Sequence, residues 1–104
     1  MNIKGTLPLL ILHVISTGPK HGYRIAKEIK RGSRDVLEVA EGTLYPMLHD
    51  LEKRGMIEAF EETVNGRQRR CYRLTAAGRR ELESQITEWE CYTQAVNLLL
   101  GGAS

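Results

Sequence analysis

The order of hydrophobic and polar positions along the chain predicts four helices and one β-hairpin. The first helix is expected over residues 6–17, with Thr6 as its N-cap and Pro8 in its first turn, where the missing N–H costs little. Its apolar side chains point in every direction, and a helix that is apolar all round must be buried all round. In so short a chain, we expect that a second surface, most simply a partner subunit, covers it.

A second helix is predicted over residues 21–31, between the breakers Gly18 and Pro19 and a stop at Gly32. Its inner side is expected to carry Tyr23, Ile25, Ala26 and Ile29. Basic side chains recur on the opposite side at helical spacing, at Arg24, Lys27 and Arg31. The helix is therefore predicted to be amphipathic, with a basic outer stripe.

A connector over residues 35–40, which contains a short possible strand, leads to a third helix. Thr43 is expected to cap this helix, with Pro46 in its first turn and Gly55 as its C-terminal stop. Its apolar stripe consists of Leu44, Met47, Leu48 and Leu51. A second face, which points away from the core, carries Tyr45, His49 and Lys53.

The last part of the chain predicts a β-hairpin and a long helix. Two strand-like runs, residues 57–64 and 68–74, flank Asn65 and Gly66, a pair that accepts positive φ at both turn positions. Thr75 is expected to cap a helix that ends at about residue 100. Six positions recur along this helix at alternating spacings of four and three, which is a heptad-like seam: Leu82, Ile86, Trp89, Thr93, Val96 and Leu100.

Composition and charge narrow the class of protein. The chain of 104 residues has the length of one domain, and it shows neither a membrane span nor a signal peptide, so we expect a cytoplasmic, nucleoid-associated protein. The net charge is only +2, but residues 67–80 hold six arginines and no acidic residue, and residues 20–34 form a second basic segment. Such segments suit phosphate contacts, although ordinary solvated surfaces carry charge clusters too.

The sequence contains no recognisable catalytic or metal-binding constellation. The three histidines, His13, His21 and His49, fall on separate predicted helices, and no nucleophile has a paired base. Cys71 and Cys91 stand in different contexts, so we expect two free thiols. The chain is therefore predicted to be neither an enzyme nor dependent on a cofactor or a metal ion.

Three helices, a hairpin and a final helix describe a winged helix-turn-helix. We predict a mostly α fold with a β-hairpin, in which residues 1–78 form a DNA-binding domain and residues 79–104 a C-terminal dimerisation helix and tail. In such a fold the third helix enters the major groove of DNA, and the hairpin, or wing, lies beside it. Because arginine forks match phosphate oxygens, the basic wing indicates double-stranded DNA as the partner.

Three segments resemble the PadR family of transcription regulators. They are HGYRIAKEI, EGTLYPMLHDLEKRGMIE and RCYRLTAAGR, at residues 21–29, 41–58 and 70–79. The resemblance runs from about residue 6 to residue 79, and the single C-terminal helix is similar to that of the short members. It implies a homodimer, usually a repressor, in which Tyr45 and the basic residues of the wing contact operator DNA. It also implies a C-terminal region that mediates dimerisation and, in some members, binds small aromatic effectors.

Two sets of residues are expected to form the functional surfaces of the protein. The residues expected to contact an inverted-repeat operator are Arg24, Lys27, Thr43, Tyr45, His49, Lys53, Arg67, Arg69 and Arg70. The residues expected to form the homodimer interface are Leu9, Leu12, Leu82, Ile86, Trp89, Thr93 and Val96.

Several of these residues allow a second interpretation. Tyr45 can pack against the wing, and Trp89 can serve as a platform for a planar aromatic effector. We expect His13 to be an interface histidine, whereas His21 and Tyr23 are expected to be structural. Winged helices also occur as protein-interaction modules, and a ligand-binding dimer without DNA function is a further alternative. Strongly salt-dependent retention on DNA separates these alternatives from a DNA-binding regulator.

Overall fold

The computed structural model describes residues 5–102 and confirms the predicted order of helices and hairpin. The elements are α1 (Leu7–Ser16), β1 (Lys20–His21), α2 (Gly22–Gly32), α3 (Glu41–Lys53), β2 (Ile57–Val64), β3 (Arg67–Leu74) and α4 (Ala76–Leu99). Strands β2 and β3 form the antiparallel wing, and β1 pairs with the other edge of β3. This is the predicted winged helix-turn-helix, extended by one long C-terminal helix.

Local signals in the sequence place the wing turn and the start of α4 correctly. Asn65 and Gly66 have φ values of 52° and 78°, the left-handed region that a type I′ turn requires at both positions. Thr75 caps α4, because its Oγ1 accepts a hydrogen bond from the N–H of Gly78 at 3.0 Å. The same hydroxyl donates to the carbonyl of Gly55 at 2.6 Å, so the cap also ties α4 to the end of α3.

The start of α3 differs from the prediction. The N-cap is Ala40, whose carbonyl accepts hydrogen bonds from the N–H groups of Thr43 and Leu44 at 3.0 and 2.9 Å. Thr43 therefore lies in the first turn, and Pro46 lies inside the helix, where it removes one backbone hydrogen bond. The helix continues through Pro46 because burial of its apolar stripe, including Leu48, outweighs that loss.

Strand β1 is not predicted by the sequence pattern, because a strand of two residues is too short to show alternation. It matters for the site, since it pairs Lys20 with Tyr72 and His21 with Cys71. The prediction of a short strand within residues 35–40 is wrong. That connector contains no strand, and the chain enters it through Arg34 and Asp35 at φ values of 53° and 66°.

Helix α1 lies at the centre of the core. Its Leu7, Ile11 and Leu12 are completely buried, and α2, α3, β3 and α4 of the same chain pack around the helix. The same chain therefore buries most of α1, whereas its Leu9 and Leu10 are only half-buried. Leu12 and Leu82, both nominated for the dimer interface, belong instead to the core of the single chain.

One further position on the helices differs from expectation. Tyr23 was expected on the inner side of α2 but is 61% exposed, because Ile25 and Ile29 supply the buried stripe. The side chain of His13 is exposed, and Cys91 is exposed whereas Cys71 is buried. No helix among residues 5–102 is long and apolar enough to cross a membrane.

Candidate nucleic-acid interface

Side chains from α2, α3 and the wing meet in one open groove of about 300 Å³, which we call the wing groove. Its lining residues are His21, Gly22, Tyr23, Tyr45, His49, Arg69, Arg70 and Tyr72. Four of the nine residues nominated for DNA contact, namely Tyr45, His49, Arg69 and Arg70, line this one groove.

Tyr45 lies on the outward face of α3 and packs against the start of α2. A Cβ atom on Gly22 would lie 2.7 Å from Cε1 and 2.9 Å from the hydroxyl oxygen of Tyr45, so only glycine lets the ring take this place. The ring remains 37% exposed. Burial, followed by the charge of Glu41, raises the pKa of Tyr45, so the hydroxyl stays a neutral hydrogen-bond donor at physiological pH.

The outward face of α3 continues along the helix. His49 and Lys53 follow Tyr45 at intervals of four residues, and both are exposed, as predicted. Thr43 does not belong to this face. It lines a separate cleft with Leu7, Pro46 and Met47, on the side of α3 that faces α1.

The wing arginines fall into two groups. Arg70 donates to both oxygens of Glu52, at 3.0 and 3.2 Å, and this hydrogen bonding raises its pKa. Arg73 pairs with Glu58 at 2.7 Å. None of the ion pairs found within residues 5–102 includes Arg67 or Arg69, so these two keep their charge available for an external anion.

The outer side of α2 carries the expected basic stripe. Arg24 pairs with Glu28 at 2.8 Å, but an exposed ion pair of this kind contributes only about 0–1 kcal/mol, so a phosphate can replace the carboxylate. The ammonium group of Lys27 lies 5.4 Å from the ring centre of Tyr23. A basic depression at the end of the helix is lined by Lys27, Lys30, Arg31, Arg34 and Asp35.

His21 joins α2 to the wing. Its Nδ1 accepts a hydrogen bond from the backbone N–H of Arg24 at 3.2 Å, which caps α2, and its Nε2 lies 3.1 Å from Nη1 of Arg69. The structural role expected for His21 is thus confirmed as an N-cap. Burial, followed by the charges of Arg69 and Arg24, lowers the pKa of His21, although Glu62 opposes the shift.

Because its pKa is lower in the folded chain than in the unfolded chain, His21 should make stability depend on pH. Its contribution to the stability of the folded chain is fully present above the ordinary histidine pKa of about 6.5. This contribution is lost as the pH falls through the pKa that His21 has in the folded chain. We expect thermal unfolding between pH 8 and pH 5 to show a larger loss for the wild type than for His21→Asn, since asparagine caps a helix without titrating. Parallel curves for the two proteins would rule out this contribution.

Sequence reasoning missed the contact between His21 and Arg69 because the two residues are 48 positions apart. The only sequence signal was the motif that begins at His21, and its effect on the wing depends on the pairing of β1 with β3. Among residues 5–102, no group of three or more His, Cys, Asp or Glu side chains is placed to hold a metal ion.

A second feature is a cleft of about 500 Å³ between the start of α1 and the middle of α4. Its lining residues are Gly5, Thr6, Pro8, Leu9, Glu81, Gln85, Glu88, Trp89 and Tyr92. Trp89 is 39% exposed, and its ring centre lies 6.2 Å from that of Tyr92. The structure therefore brings together Leu9 and Trp89, which were both nominated for the dimer interface.

The chain is similar to known transcriptional regulators along nearly its whole length. It is 38% identical to the transcriptional regulator Rv3488 of Mycobacterium tuberculosis over 97% of this chain and 89% of that protein. A PadR-like transcriptional regulator of Bacillus cereus superposes with a TM-score of 0.84 at 30% identity, over 97% of each chain. A PadR family transcription regulator of Clostridium difficile superposes with a TM-score of 0.82 at 28% identity, over 92% of this chain and 99% of that one.

The family profile described as transcriptional regulator PadR-like matches residues 11–84, which include the second half of α1, the wing groove and the first turns of α4. The resemblance read from the three sequence motifs is thereby confirmed. Transcriptional regulators are not a class of enzyme. The chain belongs to the PadR-like family of transcriptional regulators.

Proposed function

We propose that this protein is a transcription repressor that binds an inverted-repeat operator as a homodimer. The observation that carries the proposal is the wing groove, where Tyr45 and His49 of α3 share one open face with Arg69 of the wing. Membership of a family of transcriptional regulators supports DNA as the partner. Such a repressor would act on chromosomal DNA in the cytoplasm.

The two kinds of side chain suggest a division of labour on DNA. With α3 in the major groove, Tyr45, His49 and Lys53 face the base edges, where sequence is read. The phosphate contacts come from two kinds of basic side chain. Arg24 can exchange its carboxylate partner for a phosphate, and the ion pairs of residues 5–102 do not include Lys27, Arg67 or Arg69. Arg70 contributes less, because it donates to both oxygens of Glu52, whereas Arg24 makes a single contact with Glu28. Thr43 lies on the side of α3 opposite the three residues that face the base edges, so any contact between Thr43 and DNA would have to come from that side.

The homodimer is supported by the apolar surface that α4 leaves uncovered. Beyond Leu82, the seam residues Ile86 and Trp89 are 36% and 39% exposed, and Leu100 is 78% exposed. Thr93 and Val96 continue the same seam and are only half-buried. A second copy of α4, related by a twofold axis, would cover this seam and also the part of Leu9 that the single chain leaves open.

The cleft beside Trp89 supports a second, narrower proposal, that a planar aromatic molecule is the effector. Its volume of about 500 Å³ lies within the usual range of small-molecule sites, and Trp89 and Tyr92 offer stacking surfaces. A ligand there would weaken DNA binding only to the extent that it binds more tightly to a dimer in which the two α4 helices have shifted. Because Trp89 is the only tryptophan, quenching of its fluorescence coupled to operator release tests this proposal.

Replacing Arg67 by alanine should weaken binding to all DNA sequences by a similar factor. One phosphate contact is lost, so the slope of log affinity against log salt should fall by about one unit. Arg73→Ala is the matched control, because Arg73 lies on the same strand but at the end of the wing away from its turn, opposite Glu58, and it should leave the slope unchanged. Fluorescence anisotropy with cognate and random duplexes at several salt concentrations measures both effects.

A change of sequence preference in Arg67→Ala, with the salt slope intact, would mean that the wing reads bases. If the wild type itself showed no salt-dependent affinity for any duplex, the protein-interaction or ligand-binding alternatives would replace the proposed function.

A further inference from the structure

Two N–H donors converge on the imidazole of His21. The backbone N–H of Arg24 points at Nδ1 at 3.2 Å, and Nη1 of Arg69 lies 3.1 Å from Nε2. A guanidinium group only donates hydrogen bonds, and a neutral imidazole has one acceptor nitrogen and one N–H. Both contacts therefore cannot be hydrogen bonds at the same time.

The cap on α2 decides which nitrogen carries the proton. Nδ1 must present its lone pair to the N–H of Arg24, so the proton of the neutral ring lies on Nε2. The Nε2–H and the guanidinium of Arg69 are then adjacent donors without an acceptor between them. Such a pair is completed by an oxygen atom that accepts from both groups.

We propose that His21 and Arg69 together bind one phosphate group of the DNA backbone, with Nε2–H and Nη1–H donating to it. This inference rests on the proposed function, and it adds His21 to the residues that contact DNA. A phosphate oxygen is the acceptor that a DNA-bound wing supplies at this position, because His21 and Arg69 line the wing groove beside Tyr45.

The charges around the ring agree with this assignment. The groups that act on His21 are Arg24 from α2, Arg69 from β3 and Glu62 from β2. Burial, followed by the charges of the two cations, lowers the pKa of His21, so the neutral ring predominates at pH 7. The site thus offers an excess of donors and positive charge, which an anion relieves. Tyr23 stacks on the ring with an interplanar angle of 8° and holds its plane.

The test is a set of duplexes that carry the site selected from random DNA, each with one phosphate replaced by an uncharged methylphosphonate. The wild type should lose affinity at several positions. Both His21→Asn and Arg69→Ala should become insensitive to the replacement at one shared position. Arg67→Ala is the matched control, because its guanidinium lies elsewhere on the wing, and it should become insensitive at a different position.

Two further readouts separate a DNA contact from a purely structural role. His21→Asn keeps a capping side chain, so at pH 7.5 it should unfold near the wild-type temperature, yet bind DNA roughly tenfold to a hundredfold more weakly, the value of one hydrogen bond to a charged acceptor. Its salt slope should not change, because no charge is lost, whereas Arg69→Ala should lower the slope by about one unit.

The free protein gives an independent check on His21. A two-bond ¹H–¹⁵N correlation spectrum at pH 7.5 should show the Nε2–H form of His21. The Nδ1–H form would overturn the inference, since Nε2 would then accept from Arg69 and have no proton for a phosphate. The inference would also be overturned if His21→Asn lost affinity at the same methylphosphonate positions as the wild type. Absence of any selected DNA site would instead contradict the proposed function.

Discussion

Replacing Gly78 by alanine is expected to lower the free energy of unfolding by about 3 kcal/mol or more. A Cβ atom at this position would lie 1.9 Å from the carbonyl oxygen of Met56 and 2.8 Å from Cδ1 of Leu74. The carbonyl cannot easily move, because it accepts a hydrogen bond from the N–H of Thr75 at 3.2 Å. Relief of the clash must therefore shift α4 away from the wing.

Thermal unfolding at one fixed protein concentration measures this effect, which corresponds to a drop of roughly 12 °C or more in melting temperature. Gly42→Ala is the matched control, because Gly42 also lies in a helix but has no atom within 4 Å of an added Cβ. Alanine there should be neutral or stabilising by up to about 1 kcal/mol. A Gly78→Ala protein as stable as the wild type would mean that α4 is not held against Met56 as described.

Replacing Trp89 by alanine is expected to convert the proposed dimer into a monomer at micromolar concentration. Trp89 lies in the middle of the α4 seam, and its surface is 39% exposed in the single chain. A central aromatic residue of an interface contributes about 2 kcal/mol or more, and a twofold axis places two copies there. The dissociation constant should therefore rise by roughly a thousandfold.

Sedimentation equilibrium of the wild type and the variant measures this change. Cys91→Ser is the matched control, because Cys91 is exposed and lies two residues further along α4, where side chains point away from the seam. It should remain dimeric. A wild-type protein that is monomeric at micromolar concentration would contradict the proposed homodimer.

The features that could be predicted from the sequence are those set by neighbouring residues. Asn65 and Gly66 specify their turn through their own backbone preferences, and Thr75 caps α4 through a contact three residues away. The outward face of α3 follows from helical periodicity alone, so Tyr45 and His49 were placed correctly. These local signals are sufficient to predict the winged helix and half of the residues that line the wing groove.

The features that could not be predicted depend on contacts between distant segments. The sequence does not show that Arg70 donates to both oxygens of Glu52, which is 18 positions away. Periodicity identifies an apolar face without saying what covers it, which is why Leu12 and Leu82 were assigned to a partner although the chain buries both. Likewise, packing of Leu48 holds α3 together through Pro46, against the local preference of proline.

The central claim, that this chain reads DNA as a twofold dimer, is tested most directly by selecting bound sequences from random duplex DNA with the purified protein. Two copies of α3 must enter the major groove on one face of the duplex. We therefore expect an inverted repeat whose half-sites lie about 10 base pairs apart, centre to centre. Selection that enriches no sequence, or enriches a single half-site without a symmetric mate, would contradict the account.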